Sequence, residues 1–290
     1  MKVLFIAVFS DTSTNNAQSR GLQKAGCTVI EYNYRNRATN IGAPARDQEI
    51  IDTCNLERPD FVLFSKCNGV HHRVIEECNK VSKTVMWYMD PLHNFDNELT
   101  EKIKHCTHTF CALTLPYQEA QKYSKKAHFL HEGYDSVVNY PVDVPYPVDV
   151  PYKHDVSFIG NLRGERGHYQ RKYGFFNFTG AYGEYHSVAV AQTKINLNFT
   201  EQNEGTSDRT YKVLASKGFL LTQPWEGMEK DFVDGRDLVV FRNEKEFESL
   251  IKYYLSHEEE RKAIAENGYK TVQKFSRDNW AVRLLEGIYK

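Results

Sequence analysis

The chain has 290 residues, 41% hydrophobic and 26% charged, the balance of a soluble globular protein. Its longest early apolar run, residues 3–9, is too short for a bilayer span of about 20 residues and lacks the basic flank and cleavage site of a leader peptide. The net charge of −1 is evenly divided, with 16 basic and 16 acidic residues in 1–139 and 21 and 22 in 140–290, so neither half has the basic excess of a strong nonspecific nucleic-acid binder.

The first 139 residues alternate strand and helix signals. Residues 2–9 form a near-continuous apolar run, as in a strand buried on both faces. A helix over 15–25 ends at Gly26, and a second strand covers 27–32. Helical periodicity over 46–56 closes at Pro59. A third strand covers 61–65, and a helix lies near 70–81. Strands follow at 84–88 and 108–112, a helix opens at Pro116, and a short strand covers 127–130. Apolar strands alternating with helices imply a parallel sheet covered on both faces.

Residues 140–145 read YPVDVP, and 146–151 repeat it. Four of the nine prolines fall here, so the segment reads as an extended connector. The alternation then restarts. Strands are expected at 155–160, 175–179, 194–199, 218–222 and 238–241, with a helix over 209–217. Asn243 with Glu246 forms an N-cap pair. Ser256 with Glu259 reads as a second capping box, starting a helix toward Phe275. A last helix begins at Ser276, with Trp280, Leu284, Leu285 and Ile288 on its apolar side.

The expected architecture is two Rossmann-like, doubly wound α/β domains with C-terminal helices. The boundaries are 1–139, a Pro-rich linker at 140–152, and 153–290, with the last helix packing back on the first domain. Ligands of such sheets bind outside the carboxyl ends of the strands, so a central cleft between the domains is the expected site. Six cysteines, Cys27, Cys54, Cys67, Cys78, Cys106 and Cys111, all lie in the first half without a CxxC. They read as reduced thiols of a cytoplasmic protein.

Four segments could carry chemistry. The strand ending at Gly160 is followed by Asn161, Arg163, Gly164 and Arg166. Glycine admits a close ligand and arginine forks match phosphate oxygens; a polar loop with solvated arginines is the plainer reading. Glu204-Gly-Thr-Ser-Asp-Arg-Thr-Tyr-Lys212 leads into a helix that Thr206, Ser207 or Asp208 can cap. A helix N-terminus with Arg209 in its first turn is an anion site, although ordinary caps are far commoner. Lys212 lies one turn on and can face the same side. Asp90, with His93 beyond it, ends the fourth strand; Asp90 also suits a simple loop start before Pro91. His131 and Glu132 precede the linker, where a polar turn around Gly133 is the alternative.

Other chemistries lack their motifs. Ser10 and Asp11 stand in the first turn, where a dinucleotide fold would carry GxGxxG. There is no GxxxxGK[ST], no GxSxG and no metal-binding DxD at a strand end. His71 and His72 sit at a strand-to-helix turn, where such a pair is more often a cap or surface feature than a metal site. No metal is expected.

Taken as an ordered set, several segments resemble the glycosyltransferases of GT-B architecture, most closely the spore-maturation (CgeB-like) branch near glycosyltransferase family 4. They are VSFIGNLRGERGHYQR (156–171), KINLNF (194–199), SDRTYKVLASKGFLLTQPWEGMEKDF (207–232) and DLVVFRNEKEFESLIKYYLSHEEERKAIAENGY (237–269). TVMWYMDP (84–91) and FLHEGYD (129–135) agree more loosely.

The resemblance implies a metal-independent, retaining hexosyl- or pentosyltransferase that uses a nucleotide sugar, UDP-sugar favoured, and no resident cofactor. It places the donor on Gly160, Asn161, Arg163, Arg166, Glu204, Ser207, Asp208, Arg209 and Lys212, with Glu226, Gly227 and Met228 near the sugar. Asp90 and Arg209 become the catalytic residues, and Ser10, Asp11, His93, His131 and Glu132 the acceptor or cleft residues. In the family pattern a Glu that holds the ribose closes an E-x7-E spacing. Here Glu204 stands first, but Lys212, a donor-only group, stands second.

The acceptor is a hydroxyl of a polysaccharide, a metabolite or hydroxymethylated phage DNA. The DNA version requires Lys66, Arg73, Lys122, Lys125 and Lys126 to form a basic face. The alternative, favoured by Lys212, is a non-catalytic nucleotide- or sugar-binding protein on the same fold.

Overall fold

Val3, Leu4, Phe5, Ile6 and Ala7 have no solvent exposure, which makes β1 (Lys2–Ala7) a central strand. The computed structural model describes residues 1–142, 152–200 and 205–290. Glu204 and nearly all of the YPVDVP repeat lie outside the described residues. The chain divides into two compact units, Met1–Glu132 with Arg277–Lys290, and Gly133–Ser276.

In the first unit β1 is joined by β2 (Thr28–Asn33), β3 (Phe61–Ser65), β4 (Lys83–Tyr88), β5 (His108–Cys111) and β6 (Ala127–Phe129). All pair in parallel, in the order β2-β1-β3-β4-β5-β6. Side chains alternate across the sheet with period two. Leu4, Ile6, Val62, Phe64 and Met86 face a core with Ile50 of α3 (Ala43–Glu57), Val74 and Ile75 of α4 (His72–Cys78) and Ile103 of α5 (Asn97–His105). Phe5, Phe61, Leu63, Val85 and Trp87 face the other way, against Leu22 of α1 (Asn15–Lys24) and Trp280, Leu284 and Ile288 of α12 (Arg277–Tyr289). The Trp87 and Trp280 rings meet edge to face, 5.4 Å apart. Thus the C-terminal helix completes the first unit's core.

In the first unit, two helices escape the periodic reading. In α2 (Tyr34–Ile41) only Tyr34 is buried, so no apolar stripe marks it; Asn33 caps it and Gly42, at φ +84°, separates it from α3. α5 is short and strongly charged, and starts where Asp96 accepts the Leu99 N–H at 2.8 Å. α6 (Thr114–Ala120) opens two residues before Pro116.

The second unit has β7 (His154–Ile159), β8 (Phe176–Phe178), β9 (Thr193–Asn198), β10 (Leu220–Thr222) and β11 (Val239–Val240), parallel in the order β11-β10-β9-β7-β8. Its helices are α7 (Gly164–Tyr173), α8 (Glu184–Ala191), α9 (Asp208–Ala215), α10 (Glu244–Ser256) and α11 (Glu258–Val272). Asn243 caps α10 as its pairing with Glu246 predicts. Ser256 does not cap α11: its hydroxyl donates back to the Tyr253 carbonyl at 2.8 Å, closing α10, and His257 takes the N-cap position without its side chain capping the helix. The unit begins beside its own end, where the Tyr134 N–H donates to the Phe275 carbonyl.

All six cysteines are buried thiols. Among the described residues, no helix is long and apolar enough to cross a membrane.

Candidate functional site

In the second unit the strand order reverses direction between β7 and β9, the position where open α/β sheets bind ligands beyond their carboxyl ends. Arg209, in the first turn of α9, is fixed there. Its Nε donates to the Ile159 carbonyl at 2.6 Å, and its Nη1 to Asn198 Oδ1 at 3.0 Å and Ser207 Oγ at 3.2 Å. Its guanidinium lies 4.4 Å from the centre of the Phe158 ring. These contacts span the ends of both switch-point strands. An arginine set by three hydrogen bonds and an aromatic face loses little further entropy on gripping an anion.

Gly160 makes room for it. Its φ is +139°, and a Cβ there would stand 2.7 Å from Arg209 Nη2. Arg166 reaches the same aromatic ring, its guanidinium 5.7 Å from the Phe158 centre. Thus Gly160, Arg166, Ser207 and Arg209 come together. Asn161 and Arg163 are exposed, Arg163 at the N-cap of α7.

Ser207 sits at the N-cap of α9 but leaves the cap unmade, because its hydroxyl donates to Asn198 Oδ1 at 3.3 Å. Asn198 is buried, and its Nδ2 donates to Thr210 and Thr222 hydroxyls at 3.2 and 3.0 Å. It orients both Ser207 and Arg209, a role hidden within KINLNF, where it reads as one polar residue in a strand. Lys212 and Asp208 form an ion pair at 2.5 Å, one turn apart on α9.

His186 on α8 was invisible to motif reading. It is buried, and its Nδ1 has no hydrogen-bond partner among the described residues. Burial pushes its pKa down to about 3, with Lys212 and Arg209 adding repulsion and Asp208 opposing it. Its neutral ring therefore borders the α9 cluster. One signal was available: a lone His in a helix otherwise lined by Val188, Ala189 and Val190.

The Trp225–Met228 turn is built differently from the expected sugar contact. Gly227 is at φ +84°, Glu226 is exposed, and the Met228 side chain is buried in a core with Tyr211, Trp225 and Phe232.

In the first unit the switch point lies between β1 and β3. Ser65 Oγ donates to Asn15 Oδ1 at 2.9 Å across it. Lys66, at φ +57°, donates to Asp90 Oδ1 at 2.5 Å, so the β3 and β4 ends present a paired carboxylate and ammonium, each about one third exposed. Ser10, Asp11 and His93 are exposed and His131 half-buried. Glu132 is buried, 3.5 Å from Arg277, whose Nη1 donates to the Thr14 carbonyl at 3.0 Å; this places it in the anchoring of α12. Lys66 is paired with Asp90 and Lys122 with Glu119, which leaves fewer uncompensated charges for a basic face.

Two parallel-sheet α/β domains of this kind define the GT-B glycosyltransferase fold. Within it, residues 152–286 match the family model described as glycosyl transferase-like. Solved structures agree over the whole chain. HepE of Anabaena in complex with UDP-glucose has a TM-score of 0.68 at 10% identity, covering 99% of each chain. Sucrose-phosphate synthase of Thermosynechococcus elongatus has a TM-score of 0.70 at 10% identity, covering 99% of this chain and 98% of its own. A glycosyltransferase of Rickettsia africae has a TM-score of 0.69 at 10% identity, covering 98% and 97%. No curated protein matches in sequence.

Proposed function

We propose that the protein is a nucleotide-sugar-dependent glycosyltransferase that binds a UDP-sugar through its second unit and transfers the sugar to a hydroxyl acceptor. The carrying observation is Arg209, set at the carboxyl edge of β7 and β9 and backed by Phe158. A diphosphate laid against Gly160 would meet this guanidinium at the positive end of the α9 dipole. HepE, of the same fold, was solved with UDP-glucose, which supports UDP as the nucleotide.

In this reading the departing UDP carries the developing charge. Arg209 and the α9 N-terminus are aimed at that charge and need no reorganisation, the largest single kind of rate contribution in group transfer. Arg163 and Arg166 supply further positive charge, and no bound metal is required. The reaction is read as retaining, with the leaving phosphate oxygen taking the acceptor proton at the face it leaves. Lys66 and Asp90 bind the acceptor on the first unit.

Slow hydrolysis of donor is the direct test. Incubation with UDP-, GDP- and dTDP-sugars should consume one nucleotide class; no turnover across the panel would reject a catalytic role. Lys212 supports a second reading, a non-catalytic nucleotide- or sugar-binding protein. It stands where the family 4 pattern carries the Glu that holds ribose, and its ammonium is paired with Asp208. That reading expects binding without hydrolysis or transfer.

A further inference from the structure

On the first unit, His72 and Glu76 lie one turn apart on α4 and His105 ends α5. Glu76 Oε1 is 3.1 Å from His105 Nε2 and 3.9 Å from His72 Nε2. One ligating atom from each of the three lies within 4.8 Å of the others. The His72 and His105 rings stack, centres 5.3 Å apart and planes within 15°.

The cluster is held by structure on both sides. Val74 and Ile75 of α4 and Ile103 of α5 are packed in one core. Asn79 Nδ2 donates to the His105 carbonyl at 2.5 Å, tying the end of α5 to α4. The neighbouring His71 is the helix cap: its Nδ1 accepts the Arg73 N–H at 3.2 Å. The pair His71–His72 therefore divides its labour, and His72 turns to Glu76.

We propose that His72, Glu76 and His105 bind one divalent transition-metal ion of the zinc class, which joins α4 to α5. Two imidazole nitrogens and one carboxylate oxygen suit zinc, cobalt or nickel; calcium and magnesium take oxygen ligands. Tetrahedral zinc with bonds near 2.1 Å sets neighbouring ligand atoms about 3.4 Å apart. The Glu76–His105 spacing already fits, and a turn of the partly exposed His72 ring closes the longer gap. The fourth position goes to water. The site stands independently of the glycosyltransferase reading.

The test uses the full chain, free of tags and stripped with chelator. Zinc chloride is titrated by calorimetry and cobalt(II) by visible absorption. One equivalent of zinc should bind with a dissociation constant below about 10 μM, raise the melting temperature, and leave cobalt with four-coordinate absorption bands. Glu76→Gln and His105→Ala should each weaken binding about tenfold or more, with unchanged circular dichroism. His168→Ala, which removes an imidazole paired with Glu244 elsewhere on the surface, should bind like the parent. No saturation by about 100 μM zinc, or equal affinity in the Glu76 and His105 variants, would overturn the proposal.

Discussion

Gly160 and Arg209 occupy space that only one of them can hold: a Cβ on Gly160 would stand 2.7 Å from Arg209 Nη2. The backbone at φ +139° also disfavours any residue with a Cβ. Gly160→Ala should therefore cost about 1–3 kcal/mol of stability in the second unit and displace the guanidinium. UDP affinity should fall about tenfold, equal to about 1.4 kcal/mol. Calorimetry with the folded variant checks this; equal affinity would show that Arg209 yields without consequence.

Asp90 and Lys66 form the other charged pair at a switch point. Because the reading assigns them to the acceptor, Asp90→Asn should leave UDP affinity within about twofold while transfer drops about tenfold or more. Loss of UDP binding in this variant would place Asp90 with the donor instead.

The C-terminal helix is bound to the first unit by close backbone approach. A Cβ on Gly21 would lie 2.5 Å from the Arg277 carbonyl oxygen. Gly21→Ala should destabilise by about 1–3 kcal/mol through overpacking, and Trp280→Ala by about 3–5 kcal/mol through the cavity beside Trp87. Urea unfolding followed by tryptophan fluorescence measures both. Unchanged midpoints would mean that α12 contributes little.

His186 makes stability fall in acid. Its pKa is lowered from 6.5 to about 3 on folding, so the unfolded chain binds the proton first. The contribution is complete above pH 6.5 and declines as pH falls from 6.5 toward 3. His108, lowered to about 4 mainly by burial, acts in the same direction in the first unit. His186→Gln should flatten the decline of the second unit's melting temperature between pH 6.5 and 4, while that of the first unit persists. An identical pH profile in the variant would contradict the assignment.

Most of the fold was legible because buried parallel strands are apolar runs. β3 matches its expected span, and β1, β4, β7 and β9 differ only at their ends. What escaped has little apolar patterning: α2 buries only Tyr34, and α7 and α8 show no amphipathic stripe. Gly160 and Arg209 stand out in the sequence by residue type, and the structure brings them together at the end of β7. Asn198 and His186 act through burial and orientation, which a linear motif does not display. Glu132 reads as a cleft residue and Met228 as a neighbour of the donor sugar, yet tertiary packing buries both. The His72–Glu76–His105 cluster was missed because His105 lies more than 30 positions from His72, and only the packing of α5 on α4 brings them together.

The central claim is that Arg209, held by Ile159 and Asn198, grips the donor diphosphate. Titration of UDP into the parent protein and Arg209→Lys tests it most directly. Lysine keeps the charge but lacks the fork that reaches both carbonyl and amide. The account predicts saturable UDP binding by the parent and a loss of about tenfold or more in the variant, with circular dichroism unchanged. No UDP binding by the parent, or equal affinity in the two proteins, would contradict it.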